Sequence, residues 1–428
     1  MCDNSRAKRG HTEEVARVSR ATRASLAVLA ACTVAHFSNH LYTGALSPFM
    51  PIIRDELSLS LTEVGLVTSA AVFTMTASHL LVGYLSDKGW RDILIPASIL
   101  FTALVVLLTS LATTLAFLIL CQVLLGLAAS AYHPCAFPAL TVRFPGSSRA
   151  TAAGIQAAGG LVGMAVVPAL GITLFVLLGG WQQSLFVLGM MGFVLFASAS
   201  MFMAWGRREP PACHVTVQRE PDVEGWTRNY ALILILSGLR GIPFRCVAML
   251  MPVYLVDRFG YTPVWAGSLT TIMLVGGLVG EVVSAPLSDR LRRRVPFIVL
   301  SNALITPCLL LLNTSIDQTL VIAVLIIFGF FYFLGVPPNE AFETEVSPTR
   351  SRGLAFGLLF SVGALPGAIA PLVFGSLGDT YGLSASILFL ASTTAIAGVI
   401  SLFLREKRSK VWRPTSVGAE LDSGTADA

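Results

Sequence analysis

The stretch Gly83-Tyr84-Leu85-Ser86-Asp87-Lys88-Gly89-Trp90-Arg91 is a short polar segment between two long apolar runs. A second segment of the same kind, Ala285-Pro286-Leu287-Ser288-Asp289-Arg290-Leu291-Arg292-Arg293-Arg294, follows in the second half of the chain. In a loop between membrane spans, a small residue lets two helices approach closely, and an aspartate at a helix end can meet a basic residue across the loop. Because Leu-Ser-Asp-basic occurs twice, we interpret it as a repeated loop motif.

The first segment resembles the loop motif between the second and third helices of the major facilitator superfamily. The second segment resembles the weaker copy of that motif in the second half of such proteins, although Ala285 stands where the motif has glycine. The resemblance implies an all-α membrane protein with twelve transmembrane helices in two pseudo-symmetric six-helix bundles. It also implies a conformational latch on the cytoplasmic side, formed by Gly83, Asp87, Lys88, Arg91, Asp289 and Arg290.

The composition independently places the chain in a membrane. Hydrophobic residues make up 54% of the chain and charged residues only 12%, whereas a soluble domain carries about a quarter charged residues. Apolar runs of about 20 residues, the length that crosses a bilayer, occur roughly a dozen times. The seven cysteines are an odd number, and most lie within apolar runs. This distribution argues against a disulfide framework.

The apolar runs divide the chain into two groups of six predicted spans. The predicted spans are 24–47, 61–85, 92–112, 115–142, 149–178, 182–205, 230–255, 263–286, 296–313, 320–346, 353–377 and 383–404. The predicted organisation is an N-terminal tail (1–23), a first six-helix bundle (24–206), a linker (207–229), a second six-helix bundle (230–404) and a C-terminal tail (405–428). No cleavable signal peptide is expected, because the first 25 residues are polar and the first apolar run is long enough to span.

Lysine and arginine are distributed unequally between the two sides of these spans. All but four of the 29 basic residues fall on the side that carries both tails. Arg54 and Arg258 lie on the other side, and Arg240 and Arg245 lie within a span. Since cytoplasmic loops carry the excess of Lys and Arg, we predict a multi-pass protein of the cytoplasmic or inner membrane with both termini cytoplasmic. The same bias explains the net charge of +5, so no nucleic-acid partner is expected.

The two halves are related by an internal repeat with a constant offset of 203 residues. This offset pairs Gly126 with Gly329 and Pro134 with Pro337, and it also pairs Arg149 with Arg352, Gly154 with Gly357, Gly160 with Gly363, and Pro168 with Pro371. Repeated halves are typical of transporters that hold their substrate at the interface between the repeats. The repeat therefore predicts a central cavity between two bundles.

The first span has one polar face that is a candidate for lining this cavity. Cys32, His36 and His40 are four residues apart and share a helix face, and Asn39 lies beside them. Because hydrocarbon excludes such residues from a lipid-facing surface, we predict that His36, Asn39 and His40 contact the substrate. A helix–helix contact joined by hydrogen bonds is the alternative.

Two later residues extend this set of candidates. His133 precedes Pro134 in the fourth span, where proline frees backbone groups that polar neighbours must satisfy, and Gln156 lies in the glycine-rich fifth span. Both are predicted to bind the substrate. His79, which has only hydroxyl neighbours at helical spacing, is interpreted as a packing histidine.

The second half contributes two intramembrane arginines and several acidic residues. A buried guanidinium keeps its proton and needs partners, so Arg240 and Arg245 are predicted to bind the substrate, with snorkelling or a structural ion pair as the alternative. Arg240, near the middle of its span, is the first candidate for holding an anionic or strongly polar group. Asn339 joins the two arginines as a polar residue next to Pro337-Pro338. Glu340 is the first candidate for carrying a coupling proton, helped by His36, and Glu281 is the second. For Glu343 and Glu345, structural pairing with Arg290, Arg294 or Arg350 is the simpler interpretation.

Two segments narrow the family resemblance. His36-Phe37-Ser38-Asn39-His40 in the first span resembles the first span of fosmidomycin-resistance-type exporters, as do Tyr132-His133-Pro134 and Gln156-Ala157-Ala158-Gly159-Gly160. The resemblance implies a proton-coupled exporter. Two positions depart from that family, because His40 and Cys135 stand where acidic residues are usual.

We therefore predict a secondary active transporter, monomeric and without a cofactor or resident metal, that moves a small polar or anionic organic molecule by alternating access. Coupling to a proton and export are the expected mode, with nutrient or metabolite uptake as one alternative. A transition-metal transporter using Cys32, His36 and His40 is another. An intramembrane enzyme is not expected, because the repeat and its duplicated loop are typical of transport, and a signalling receptor of the same fold remains open.

Overall fold

A computed structural model of the chain describes residues 4–144, 146–208, 225–348, 355 and 358–406. Most of the predicted linker and C-terminal tail, together with Arg350 and Arg352, lies outside these residues. The described residues are helical and contain no strand. In the first half the helices are α1 (Asn4–Thr43), α2 (Met50–Glu56), α3 (Leu61–Leu85), α4 (Arg91–Thr109), α5 (Leu115–Ala129), α6 (His133–Arg143), α7 (Gly146–Leu178) and α8 (Trp181–Arg207).

The second half repeats this order. Its helices are α9 (Arg228–Phe259), α10 (Pro263–Leu291), α11 (Val295–Leu312), α12 (Gln318–Leu334), α13 (Val336–Val346), α14 (Leu365–Tyr381) and α15 (Leu383–Ser401). The first helix already begins at Asn4, so helix extends into the segment that the sequence predicted as a tail.

The described residues form 11 helical stretches that are long and apolar enough to cross a membrane. One of them, Leu61–Thr109, has 49 residues. At 1.5 Å per residue it would measure about 74 Å, which is more than twice the hydrocarbon thickness of a bilayer. It is broken at Ser86–Trp90, where Gly89 has a φ of 91°, a conformation that glycine adopts without strain. The chain therefore crosses twelve times, and the predicted fold class is confirmed.

The fourth and tenth crossings are each made of two helices. α5 ends at Ala129 and α6 begins at His133, while α12 ends at Leu334 and α13 begins at Val336. The spans predicted at 115–142 and 320–346 correspond to the membrane-crossing stretches Leu115–Arg143 and Gln318–Val346. Each is interrupted because a proline near the start of its second helix lacks the N–H of a continuous helix. Both α6 and α13 have 11 residues, and they superimpose in sequence at the offset of 203.

Glycines at the same offset let helices approach closely within each half. A Cβ atom on Gly126 would collide with the carbonyl oxygen of Ala71 on α3, and one on Gly329 would collide with that of Met273 on α10. Both are backbone contacts, which cannot move aside as a flexible side chain can. The repeat seen in the sequence is therefore a repeat of packing.

The two halves meet along two helix pairs, α3 with α14 and α7 with α10. We call the end of the bundle that carries Leu57–Ser60, Gly260–Thr262 and Gly382 the distal face, and the opposite end, with Ser86–Trp90 and Arg292–Arg294, the terminal face. On the distal side, Asp379 accepts hydrogen bonds from the backbone N–H groups of Leu61 (3.0 Å) and Thr62 (2.7 Å).

Further contacts close the distal face. Arg54 forms an ion pair with Asp257 across the two halves, and these two residues are themselves 203 positions apart. The Ser47 hydroxyl donates to the carbonyl oxygen of Ala248 (3.0 Å). On the terminal face, by contrast, the hydrogen bonds and ion pairs among the described residues each stay within one half. The described conformation is therefore closed at the distal face.

Candidate functional site

Three imidazole rings meet in the first half. His36 and His40 lie one turn apart on α1, and His133 begins α6. Ring centroids are separated by 4.9 Å for His36 and His40, 5.3 Å for His36 and His133, and 6.2 Å for His40 and His133. We call these three residues the histidine cluster. The break between α5 and α6 turns the start of α6 towards α1, which is what brings His133 into the cluster.

The His36 ring is held by a network from two other helices. His36 Nδ1 lies 2.8 Å from the carbonyl oxygen of Gln156, and the Gln156 side chain reaches both His36 and the Tyr132 hydroxyl. The Tyr132 hydroxyl donates to the carbonyl oxygen of Cys32 (3.0 Å), and its ring stacks on His36. A Cβ atom on Gly160 would lie 2.5 Å from the His36 ring. Glycine is therefore required where α7 passes the ring.

This network orients the imidazole of His36. If Nδ1 carries the proton, it donates to the carbonyl oxygen of Gln156, which leaves Nε2 free to accept. Nε2 is buried and has no hydrogen-bond partner among the described residues. His36 is only 9% exposed, so this lone pair points into the interior of the bundle.

The remaining polar residues of the first half have distinct roles. The Asn39 side chain donates to the carbonyl oxygen of Ala129 (2.9 Å) and so satisfies a group freed where α5 ends. Cys32 is buried, and its thiol does not belong to the group of ligand atoms that the three histidines form. His79 lies at the edge of the cluster, with its ring centroid 6.3 Å from that of His133. The interpretation of His79 as a packing residue therefore misses its proximity to the cluster.

The two intramembrane arginines differ in how their charges are met. The Arg240 guanidinium donates to Ser301 Oγ (3.1 Å), Asn302 Oδ1 (2.9 Å) and the carbonyl oxygen of Tyr332 (3.2 Å). It also lies over the Tyr332 ring, 5.4 Å from its centroid. Arg240 is 6% exposed, and its donors are occupied by neutral groups of the second half.

Arg245 lies one and a half turns further along α9. Its guanidinium packs over the Phe244 ring, 5.3 Å from the centroid, and it has no hydrogen bond or ion pair with any residue that the structure describes. It lies near His40, His79 and His133 of the opposite half. Arg245 and the histidine cluster therefore face each other across the interface of the two halves.

Two carboxylates, Glu340 and Glu343, lie on α13, and a third, Glu281, lies on the neighbouring helix α10. Glu343 accepts hydrogen bonds from Ser237 Oγ (2.5 Å) and Asn339 Nδ2 (2.8 Å), and its charge acts on Arg240. Glu340 lies one turn before Glu343 on α13, and its carboxylate is near those of both Glu343 and Glu281. Among the described residues Glu343 forms no ion pair with Arg290 or Arg294, because Ser237 and Asn339 hold its carboxylate, and Arg350 lies outside those residues. Glu345 does pair with Arg294 (3.2 Å), as predicted.

The residues of the predicted latch lie on the terminal face. Asp87 and Lys88 are in the segment Ser86–Trp90, and Lys88 lies over the Tyr84 ring. Arg91 approaches Asp92 (3.8 Å), and Asp289 pairs with Arg294 (2.5 Å). Each of these contacts stays within one half, and the latch between halves remains a prediction.

The sequence did not predict the hydrogen bonds that connect the residues of the site. Tyr132 was noted only as the neighbour of His133, yet its hydroxyl links Gln156 to the backbone of α1. The signal that could have found it is the Tyr-His-Pro triplet at the break of a span, since a buried tyrosine hydroxyl needs a partner.

The chain matches the Major Facilitator Superfamily over residues 32–371 and again over residues 233–423. It is 24% identical over 410 residues to the probable sulfoacetate transporter SauU of Cupriavidus necator, covering 88% of this chain and 93% of that protein. It is 23% identical over 395 residues to the fosmidomycin resistance protein of Escherichia coli, covering 91% and 95%. It is 25% identical over 364 residues to the sialic acid transporter NanX of Escherichia coli, covering 82% and 87%.

Solved structures share the fold. A bacterial homologue of the human lysosomal transporter Spinster, in an inward-facing and occupied conformation, matches with a TM-score of 0.71 and 16% identity, over 88% of this chain and 96% of that chain. The nucleoside transporter NupG matches with a TM-score of 0.62 and 14% identity, over 89% and 100%. The resemblances drawn from the loop motif and from the first span are confirmed.

Proposed function

Because the chain belongs to the Major Facilitator Superfamily and is a multi-pass membrane transporter of small organic molecules, we propose that its substrate is a small organic anion, a carboxylate or a sulfonate. Arg245 binds the anionic group in the cavity between the halves, with the histidine cluster opposite. The protein works by alternating access, and the two halves rock about the site.

The observation behind this proposal is that the Arg245 guanidinium has no hydrogen bond or ion pair with a described residue. A guanidinium inside a membrane bundle keeps its charge and is costly unless an anion or hydrogen-bond acceptors meet it. The acceptors around Arg240 satisfy that arginine within the second half, whereas Arg245 has no such partner among the described residues. An anionic substrate supplies the missing charge. The placement thus favours Arg245 as the residue that binds substrate, in place of Arg240, which is the first candidate from the sequence.

Two of the relatives support the same chemistry. One is named for sulfoacetate and another for sialic acid, and both compounds are organic acids. Identity near a quarter of the positions does not carry a substrate from one protein to another, but the charge of both compounds agrees with a cationic site. The relatives therefore suggest which probes to use.

The test is a ligand-stabilisation screen of the purified protein with sulfoacetate, sialic acid, fosmidomycin and the uncharged methyl ester of sialic acid. A ligand that binds only the folded state at 100 times its Kd raises the free energy of unfolding by about 2.7 kcal/mol. We expect at least one acid to raise the melting temperature and the ester to have no effect. Equal stabilisation by an acid and its uncharged match would contradict an anion site.

The coupling proton is proposed to reside on Glu340. Glu340 and Glu343 lie three residues apart on α13, Glu281 lies on the neighbouring helix α10, and Glu340 is the most exposed of the three. Like charges on neighbouring carboxylates disfavour their simultaneous ionisation. A proton shared among them relieves this repulsion. Glu343 also acts on Arg240, so a change in protonation can reach α9, the helix that carries Arg245. His36, our predicted proton relay, lies across the interface.

Replacing Glu340 with glutamine is therefore expected to keep substrate exchange but to remove the response to a pH gradient, because the amide cannot release a proton. The measurement is uptake into proteoliposomes with and without an imposed gradient. Glu345→Gln is the matched control on the same helix, since its carboxylate pairs with Arg294 on the terminal face, and it should respond as the parent does. Gradient-driven accumulation by Glu340→Gln would refute the assignment and direct the test to Glu343 and Glu281.

The proposed orientation places the terminal face and both chain ends in the cytoplasm. It rests on the excess of Lys and Arg on that face, and the proposed direction, export, rests on the likeness to a drug-resistance protein. A reporter that is active only in the cytoplasm is expected to be inactive when fused after Arg258 and active when fused after Arg208. The reverse pattern would overturn the orientation. Inside-out vesicles that accumulate the substrate would support export.

A further inference from the structure

We propose that the histidine cluster binds a divalent transition-metal ion of the Zn²⁺ type, with a coordination position open to the anion in the cavity. The anion as a ligand rests on the proposed function, whereas the metal site itself does not. The sequence suggested Cys32, His36 and His40 as an alternative metal site. The structure replaces Cys32 in that set with His133 from another helix.

The donor atoms are suitably placed. One ring nitrogen from each of His36, His40 and His133 lies within 4.8 Å of the other two. Zinc–nitrogen bonds of 2.0–2.1 Å in tetrahedral geometry place nitrogens about 3.4 Å apart, so the ring nitrogens need to approach one another by at most about 1.4 Å. His40 and His133 are partly exposed and their rings form no hydrogen bond with a described residue, while His36 is held by Gln156.

The surroundings of His36 are those of a metal ligand. A ligating histidine nearly always donates its other N–H to a carbonyl or carboxylate, which fixes the tautomer and directs the free nitrogen at the metal. The backbone carbonyl oxygen of Gln156 lies 2.8 Å from Nδ1 and accepts this bond in the tautomer with the proton on Nδ1, whereas the Gln156 side-chain amide, 2.9 Å away, donates to Nδ1 in the other tautomer. Nε2 is buried without a partner among the described residues. Stacking of His36 on Tyr132 accounts for the ring plane but leaves this nitrogen unexplained.

The charge of the bound ion and its surroundings determines which further ligand the ion can bind. The three ligands are neutral imidazoles, so a bound ion keeps its charge of about +2, and Arg245 across the interface opposes it. Three protein ligands also leave the fourth position of a tetrahedral site open, as in catalytic zinc sites. An anion that fills this position would lower the repulsion from Arg245. The metal and the anion should therefore bind more tightly together than either does alone.

The test uses the full chain in detergent, purified without a histidine tag, with His11 and His214 replaced by alanine so that their imidazoles cannot bind metal. Zn²⁺ binding is measured by calorimetry and Co²⁺ binding by visible absorption. We expect one ion per chain. His133→Ala and His40→Ala should each weaken binding by about a hundredfold or more, because loss of even an outer-shell partner costs 10–100-fold.

Two further variants separate a lost ligand from a damaged fold. His133→Cys keeps a zinc ligand and should restore Zn²⁺ binding, with the new thiolate visible in the Co²⁺ spectrum. His79→Ala should bind as the parent does, and an equal loss there would overturn the assignment to these three ligands. Binding unchanged in His36→Ala/His40→Ala/His133→Ala would overturn the proposal. Stabilisation by an organic acid in metal-free protein, with no Zn²⁺ binding, would refute this inference and leave the proposed function intact.

Discussion

Replacing Arg245 with alanine is expected to abolish stabilisation by organic acids and to lower their affinity by at least about thirtyfold. Truncating one partner of a buried, hydrogen-bonded charge pair costs 2–5 kcal/mol or more, and each 1.4 kcal/mol is a factor of ten in affinity. The measurement is the shift in melting temperature as the acid is titrated, followed by transport in proteoliposomes. Arg245→Lys keeps the charge but loses the planar fork, and should retain part of the binding.

The matched control for this experiment is Arg228→Ala. Arg228 is on the same helix, α9, and is exposed at the terminal face, so its loss removes the same charge from the chain without changing the cavity. We expect the acids to stabilise this variant as they do the parent. If Arg245→Ala still bound the acids at the parent's affinity while Arg240→Ala did not, Arg240 would be the arginine that binds the anionic substrate.

Replacing Gly65 with valine is expected to prevent closure of the distal face and to reduce transport to background. A Cβ atom at Gly65 would lie 2.8 Å from the carbonyl carbon of Pro371 and 2.9 Å from Leu372 Cα, which are backbone atoms of α14 and cannot rotate away. Overpacking of this kind costs about 1–3 kcal/mol or more. Because the contact exists only while the distal face is closed, this cost shifts the equilibrium about 5- to 150-fold towards the state open on that face.

This shift can be measured by crosslinking cysteines placed at Thr62 and Asp379, in a background without the native cysteines. The two side chains are hydrogen-bonded at 2.6 Å in the closed state, so a short bifunctional thiol reagent reports closure. Gly65→Val should lower the yield strongly. Gly154→Val, where a Cβ atom meets nothing within 4 Å, should leave the yield unchanged. A full yield in Gly65→Val would show that the helices adjust and that the glycine is not required.

The architecture could be predicted from the sequence because its determinants are local. Each span is a mainly apolar run long enough to cross a bilayer, and the duplicated loop and the offset of 203 residues establish two related halves. The offset even relates the breaks in the fourth and tenth crossings, since Pro134 and Pro337 are partners in the repeat. That these prolines end one helix and start another, rather than kink a continuous one, depends on the polar groups that surround them, and the pattern does not contain that information.

The sequence predicted which residues belong to the candidate site but not how they contact one another. Helical spacing places His36 and His40 on one face, but nothing local brings His133 to them, and position within the span favours Arg240 over Arg245. Those distinctions depend on which acceptors stand opposite, such as Ser301 and Asn302 around Arg240, and these are some 60 residues away along the chain. The direction of the Glu343 side chain has the same origin, because Ser237 on α9 supplies its hydrogen bond.

The ion pair between Arg54 and Asp257 bears on how the chain arose. Residues 203 positions apart occupy equivalent places in the two halves, and these two touch, so they lie at the pseudo-twofold axis. In an ancestral homodimer of six-helix subunits, the residue at this place would have faced its own copy, and two arginines or two aspartates would have repelled each other. An ion pair between arginine and aspartate at this repeat position therefore requires two halves whose sequences diverged after duplication. A single chain with two different halves can form this ion pair, whereas a symmetric homodimer cannot.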